Sequence, residues 1–197
     1  MPLTLIALTG SMNSGKTTSS NYLTHTYGFT EYAFANPIKD IGLVLGFEKH
    51  QMYGTQKQKS EMNQYLNISG REFLQKFGTE ICRDLLPQIL PSMQLGESKS
   101  IWILLFEIYM EKIIKEYPNG CIVVSDVRFL NEAAVIKKYG GYIIKIERPS
   151  DVSNTELFKH SSEMTQIKPD FTIDNIGTIE TLYNKITFIT DYIIHNV

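Results

Sequence analysis

Apolar positions along the chain come in two rhythms. Short runs of strand length, LTLIALTG from Leu3, FTEYAF from Phe29, CIVVSD from Cys121, GYIIKIE from Gly141 and FTID from Phe171, alternate with stretches whose apolar residues recur at helical spacing. KTTSSNYLTHTYG runs from Lys16 to a glycine stop at Gly28, Pro37 opens the short helix PIKDIGLVLG, and FLNEAAVIKKYGG from Phe129 again ends on glycine. A long amphipathic helix is expected from about Ser98 to Tyr117, and a final one from about Thr178 to His195. Strands that alternate with helices in this way imply an α/β fold, with a parallel sheet covered on both faces and right-handed crossovers.

The helix beginning at Ser69 is specified in more detail. Ser69 as N-cap with Glu72 three residues on reads as a capping box, and Phe73, Phe77, Ile81 and Leu85 at four-residue spacing predict one buried face. The same spacing puts Arg71 and Gln75 on one polar stripe and Lys76, Glu80 and Arg83 on another. Ahead of it, the polar stretch from Gln51 to Asn67 reads as a mobile connection or an irregular helix.

At 197 residues, 43% hydrophobic and 20% charged, the chain fits one globular domain over residues 1–197. A net charge of −2 and a pI near 6.1 speak against a basic groove for a nucleic acid polymer. The expected partners are small nucleotides. Leu3 to Leu8 leads straight into a glycine loop rather than a cleavage site, and no segment offers about 20 apolar residues for a membrane span. The expectation is a cytoplasmic protein, in host or infected-cell cytoplasm if viral. Cys82 and Cys121 lack metal-ligand spacing and are expected as buried free thiols. Trp102 in IWILLF reads as core rather than as a base-stacking residue, and the helix from Trp102 to Met110 as core or as a homodimer interface.

The motif GSMNSGKT sits directly between a strand and a helix, the context a P-loop requires. Its glycines let the backbone wrap a phosphate, Lys16 reaches the β and γ phosphates, and Thr17 offers a hydroxyl to Mg²⁺. Gly10, Asn13, Ser14, Gly15, Lys16, Thr17 and Thr18 are the candidate ATP-binding set. Asp126 ends the apolar strand CIVVS at the carboxyl edge of the sheet, where an acid can hold water on Mg²⁺, and Arg128 two residues on suits a phosphate. Lys16, Asp126 and Arg128 are therefore the candidate catalytic residues, and Thr17 and Asp126 the candidate metal ligands.

Four further motifs, SDVRFLNEA (Ser125 to Ala133), SGREFLQKFGTEICR (Ser69 to Arg83), FANPIK (Phe34 to Lys39) and HSSE (His160 to Glu163), make the chain resemble the viral and bacterial deoxynucleoside monophosphate kinases over nearly its whole length. The resemblance implies a three-layer P-loop kinase fold on a five-stranded parallel sheet, with a substrate-binding helical region at about 37 to 117 and a lid at about 149 to 168. It further implies that Lys39, Arg71, Gln75, Glu80, Arg83 and Arg128 bind the acceptor monophosphate. Arg148, Lys159 and His160 are the lid candidates, and NIGT from Asn175, with Gly177, resembles the loop that contacts adenine.

The function expected is Mg-dependent transfer of the ATP γ-phosphate to a deoxynucleoside monophosphate. An arginine-lined phosphate pocket also suits another phosphorylated acceptor such as phosphomevalonate. A non-catalytic nucleotide switch would use the same P-loop, although a guanine-reading N-K-x-D motif is lacking.

Overall fold

Strands β1 (Thr4–Thr9), β2 (Thr30–Tyr32), β3 (Cys121–Val124), β4 (Tyr142–Glu147) and β5 (Phe171–Asp174) form one sheet in a computed structural model that describes residues 3–96, 100–149 and 166–196. Their order is β2-β3-β1-β4-β5, and every adjacent pair is parallel. The helices are α1 (Lys16–Tyr27), α2 (Asn36–Val44), α3 (Lys49–Tyr53), α4 (Gln56–Lys59), α5 (Gly70–Gln75), a π-helix (Lys76–Leu85), α6 (Leu86–Ile89), α7 (Ile101–Glu116), α8 (Leu130–Lys138) and α9 (Ile179–Asn196). All five expected strands form, and the sheet is the parallel one that the alternation of elements implied.

The chain divides into two compact units, Met1–Ala33 with Glu107–Val197, and Phe34–Phe106. In the first unit β1 is central and buried along its whole length. Thr4 pairs with Cys121 on one side and Ile6 with Tyr142 on the other. Ile6, Leu8, Val123, Ile144 and Ile146 of the strands pack with Leu23 of α1 and Leu182 and Ile186 of α9. Closing this core brings the carboxyl ends of β1 and β3 side by side, which is where the candidate site residues follow.

The second unit has a core of its own. Phe73 of α5 lies between two rings, 4.9 Å from Phe47 and 5.0 Å from Phe77, and Met52 is fully buried. The stretch from Gln51 to Asn67 is α3, α4 and a pinned loop rather than a loose connection. Buried Asn63 donates to Gly46 O at 2.9 Å and to Gln51 Oε1 at 3.1 Å, while its own Oδ1 accepts from the amides of Tyr65 and Leu66. A buried amide satisfied at both ends fixes a loop that polarity alone leaves unspecified.

Two expectations for the Ser69 helix need correction. Ser69 does cap α5, accepting from Glu72 N–H at 3.1 Å, but the Glu72 carboxylate turns to Lys76, 2.9 Å away, so half of the capping box forms. The four-residue apolar face also fails beyond Phe77. Ile81 and Leu85 are each 43% exposed, and Gly78 and Cys82 are buried in their place. The backbone there is π-helical, with Leu86 N–H donating to Ile81 O five residues back, so a four-residue step no longer returns to the same side. Cys121 is half-buried rather than buried.

Candidate active site

The loop from Gly10 to Gly15 joins β1 to α1, and three of its residues take positive φ, 139° at Gly10, 63° at Asn13 and 114° at Gly15. Gly15 is the N-cap of α1, no side chain caps the helix, and its first turn contains no acid. The leading amides therefore face the loop without an internal acceptor, at the positive end of the helix dipole, which is an anion site. Thr9 Oγ1 and Ser14 Oγ, each in a residue 1% exposed, find no hydrogen-bond partner among the described residues. The Asn175 side-chain amide donates to Ser14 O at 2.8 Å and ties the turn after β5 to the loop. A Cβ on Gly15 would lie 2.6 Å from that same nitrogen, so the close approach admits only glycine.

Lys16 Nζ donates to Gly10 O at 2.8 Å and to Ser11 O at 2.7 Å, folding back along the loop. Its pKa is lowered to about 8, first by burial and then by the Arg128 guanidinium, with Asp126 acting in the opposite sense. Lys16, Arg128 and Asp126 thus form one interacting group, two cations against one carboxylate. An anion with several negative oxygens would reverse the penalty on the lysine.

Main-chain bonds hold the segment that carries the other two members. Ser125 N–H donates to Tyr32 O at 3.1 Å and Val127 N–H to Leu8 O at 3.2 Å, which fixes Asp126 between the ends of β2 and β1. Glu132 is 2% exposed, and its Oε2 accepts from the amides of Arg128 at 2.8 Å and Phe129 at 3.1 Å. Asp126 is half-buried and Arg128 exposed. Tyr32, at the end of β2, packs its ring 4.7 Å from that of Tyr109. Burial, then Asp126, Tyr109 and Glu132, push its phenol well above the usual range, so it stays neutral.

The acceptor candidates all belong to the second unit, apart from Arg128. Lys39 on α2 donates to Asn36 Oδ1 at 3.2 Å and stands 5.0 Å from the centre of the Tyr53 ring. Arg71 on α5 donates to Gln56 Oε1 at 2.7 Å. Gln75 and Glu80 are exposed and Arg83 is half-buried, the last two on the π-helix. In the first unit Arg148 is exposed just beyond β4. Gly177 has φ 115°, and Thr178 Oγ1 accepts from Thr181 N–H at 3.3 Å, as an N-cap does. Lys159 and His160 lie outside the described residues, as does most of the expected lid.

Glu132 and Tyr32 were not singled out from the sequence. Glu132 stands three residues beyond the N-cap, the right distance for a back-bonding acid, but Phe129 occupies the cap in place of a Ser, Thr, Asp or Asn that would have flagged it. Tyr32 carries no local signal, because its role arises from the pairing of β2 with β3.

A central parallel strand leading through a glycine loop into an uncapped helix, with an acid and an arginine after the neighbouring strand, defines a P-loop α/β fold. Solved structures agree on the fold. A shikimate kinase from Aquifex aeolicus superposes with a TM-score of 0.51 at 14% identity, covering 98% of this chain and 99% of that one. A sugar kinase from Janibacter sp. HTCC2649 gives a TM-score of 0.53 at 11% identity over 96% of this chain and 95% of that one. The sequence is more specific. The profile of the deoxynucleotide monophosphate kinases matches residues 4–65 and 45–186. A protein of Acanthamoeba polyphaga mimivirus whose name assigns it provisionally to that activity is 38% identical over 192 residues, 96% of this chain and 97% of that protein. The chain belongs to the deoxynucleotide monophosphate kinase family, and with it to the nucleotide phosphotransferases.

Proposed function

We propose that the protein transfers the γ-phosphoryl group of ATP directly to the phosphate of a deoxynucleoside monophosphate, giving ADP and the diphosphate. The observation that carries this reading is the uncapped, acid-free N-terminus of α1 behind the glycine loop, with Lys16 in electrostatic contact with Arg128 and Asp126. The loop amides would hold the ATP phosphates, and Lys16 would exchange its bonds to Gly10 O and Ser11 O for phosphate oxygens. The acceptor is already an anion at neutral pH, so no strong base is required, and transfer rests on positioning and charge neutralisation. Arg128 supplies positive charge beside Lys16.

The donor set also suits Mg²⁺, a hard cation that keeps several waters and takes one or two protein oxygens besides those of phosphate. Thr17, exposed in the first turn of α1, would ligate it, and Asp126 would hold one of its waters. When bound, the ion would supply positive charge that offsets that of the phosphate groups.

In the second unit, Arg71, Gln75, Glu80, Arg83 and Lys39 would bind the acceptor's phosphate and base. Asn175 and Gly177 would border the adenine of ATP, and Arg148, Lys159 and His160 would serve a closing lid that excludes water. Coupled ADP release from MgATP with dAMP, dCMP, dGMP and dTMP in turn tests the reading. ADP formation dependent on at least one of them is expected. Rates equal to the acceptor-free rate with all four would refute it.

A further inference from the structure

Trp102 is the chain's single tryptophan. It is 5% exposed at the start of α7, and its Nε1–H donates to Gly78 O at 2.9 Å. That carbonyl belongs to the π-helix, two residues before Glu80 and five before Arg83. A Cβ on Gly78 would lie 2.6 Å from Ile38 Cδ1, so this point of the helix is also pressed against α2, beside Lys39. Three elements of the second unit thus converge on one glycine, and two of them, α2 and the π-helix, carry residues of the proposed acceptor set.

A π-helix is uncommon because its i→i+5 bonds compete with the ordinary i→i+4 pattern, and changing from one to the other rotates every side chain that follows. Rewinding the Gly78 turn would reorient Glu80 and Arg83 together. It would also move the Gly78 carbonyl away from an indole N–H that is buried with it. A buried donor left unpaired is costly, so the bond favours the wide winding over the narrow one.

We infer that Trp102 is a positioning residue for acceptor binding, which through its N–H bond to Gly78 O keeps the π-helix wound so that Glu80 and Arg83 face the monophosphate. The inference rests on the acceptor reading given above. Its consequence is selective. Losing the bond raises the KM for the monophosphate, because only part of the population then presents Arg83 correctly. It leaves the KM for ATP and the kcat at saturating monophosphate nearly unchanged.

A single tryptophan allows an exact isostere to be placed at one site. The full chain is produced with β-(benzothiophen-3-yl)alanine in place of tryptophan, which keeps the shape of the ring and removes the N–H. Trp102→Phe serves if the substituted protein does not fold. Both are assayed with the best acceptor of the four monophosphates, beside Arg83→Ala. The expected result is a rise of about tenfold in monophosphate KM, with less than about a twofold change in ATP KM and in kcat. An unchanged monophosphate KM in the folded isostere, or an equal loss for both substrates, overturns the inference. If Arg83→Ala raises the monophosphate KM and the isostere does not, the role of Trp102 fails alone. If Arg83→Ala has no effect either, the acceptor reading fails with it.

Discussion

Replacing Lys16 with methionine removes a charge that the fold holds at a cost. The ammonium group is largely buried and faces Arg128, which together lower its pKa from 10.5 to about 8. Below about pH 8 the folded and unfolded chains both carry the proton, and the folded chain bears the whole penalty. Between about 8 and 10.5 the folded chain has released the proton and the unfolded chain still binds it, so the wild-type protein gains stability as pH rises. Above that window neither state is charged and the penalty is gone. Its size follows from the two values, about 3 kcal/mol. Methionine has nothing to titrate, so the stability of Lys16→Met relative to wild type should fall by about 3 kcal/mol from neutral pH to the top of the window. Urea unfolding of both proteins across that range measures it. Groups common to both, such as Tyr53, whose pKa burial and Asp40 raise to about 12, cancel in the difference. A difference constant to within about 0.5 kcal/mol across the series would refute a desolvated lysine at the loop. If Lys16 has the role proposed above, the same variant should lose activity by a factor of about a hundred or more, because charge stabilisation of the moving phosphoryl group would go with it.

Three other predictions draw on the same site. Arg128→Ala should move the wild-type stability gain toward higher pH, since Arg128 is the second cause of the lowered Lys16 pKa; an unmoved window in the unfolding series excludes their interaction. Gly15→Ala, at φ 114° and with its new Cβ 2.6 Å from Asn175 Nδ2, should weaken ATP binding by about tenfold or more in calorimetry. Adding Asn175→Ala should restore part of that loss, and strictly additive effects would show that the clash is not the cause. Glu132→Ala strips a buried acceptor from two amides, so thermal unfolding should show a loss of about 2 to 4 kcal/mol with a fall in kcat, and a change under about 0.5 kcal/mol counts against it.

What the sequence disclosed depended on how local each signal was. GSMNSGKT states its own geometry, because glycines in the positive-φ region and a helix start are properties of neighbouring residues. Strands β1, β3 and β4 were legible for the same reason, since a buried parallel strand has no polar face to obscure it. Asp126 was readable as a strand-end acid, whereas its neighbours Tyr32 and Glu132 were not, because pairing between distant strands and an atypical cap put them there. The Ser69 helix shows the opposite failure. Four-residue spacing of Phe73, Phe77, Ile81 and Leu85 is a strong local pattern, and it misled because Gly78 gives no side-chain signal of the π winding that Trp102, far along the chain, helps to hold. Asn63 was hidden in the same way, as one polar residue in a polar stretch whose value comes from the carbonyls it meets.

The central place of β1 in the sheet has a consequence for how the protein is made. β1 pairs with β3 and β4, and β2 pairs only with β3, so no strand has a neighbour until residues 121–124 have been synthesised. A nascent chain ending at Phe106 holds the complete second unit but carries LTLIALT as an unpaired apolar segment, open to chaperones and to other chains. The loop waits longer still, because Asn175, which braces Ser14, follows β5. On the proposed reading, the brace on the loop is therefore acquired late in translation, and a chain that ends before Asn175 should bind ATP more weakly.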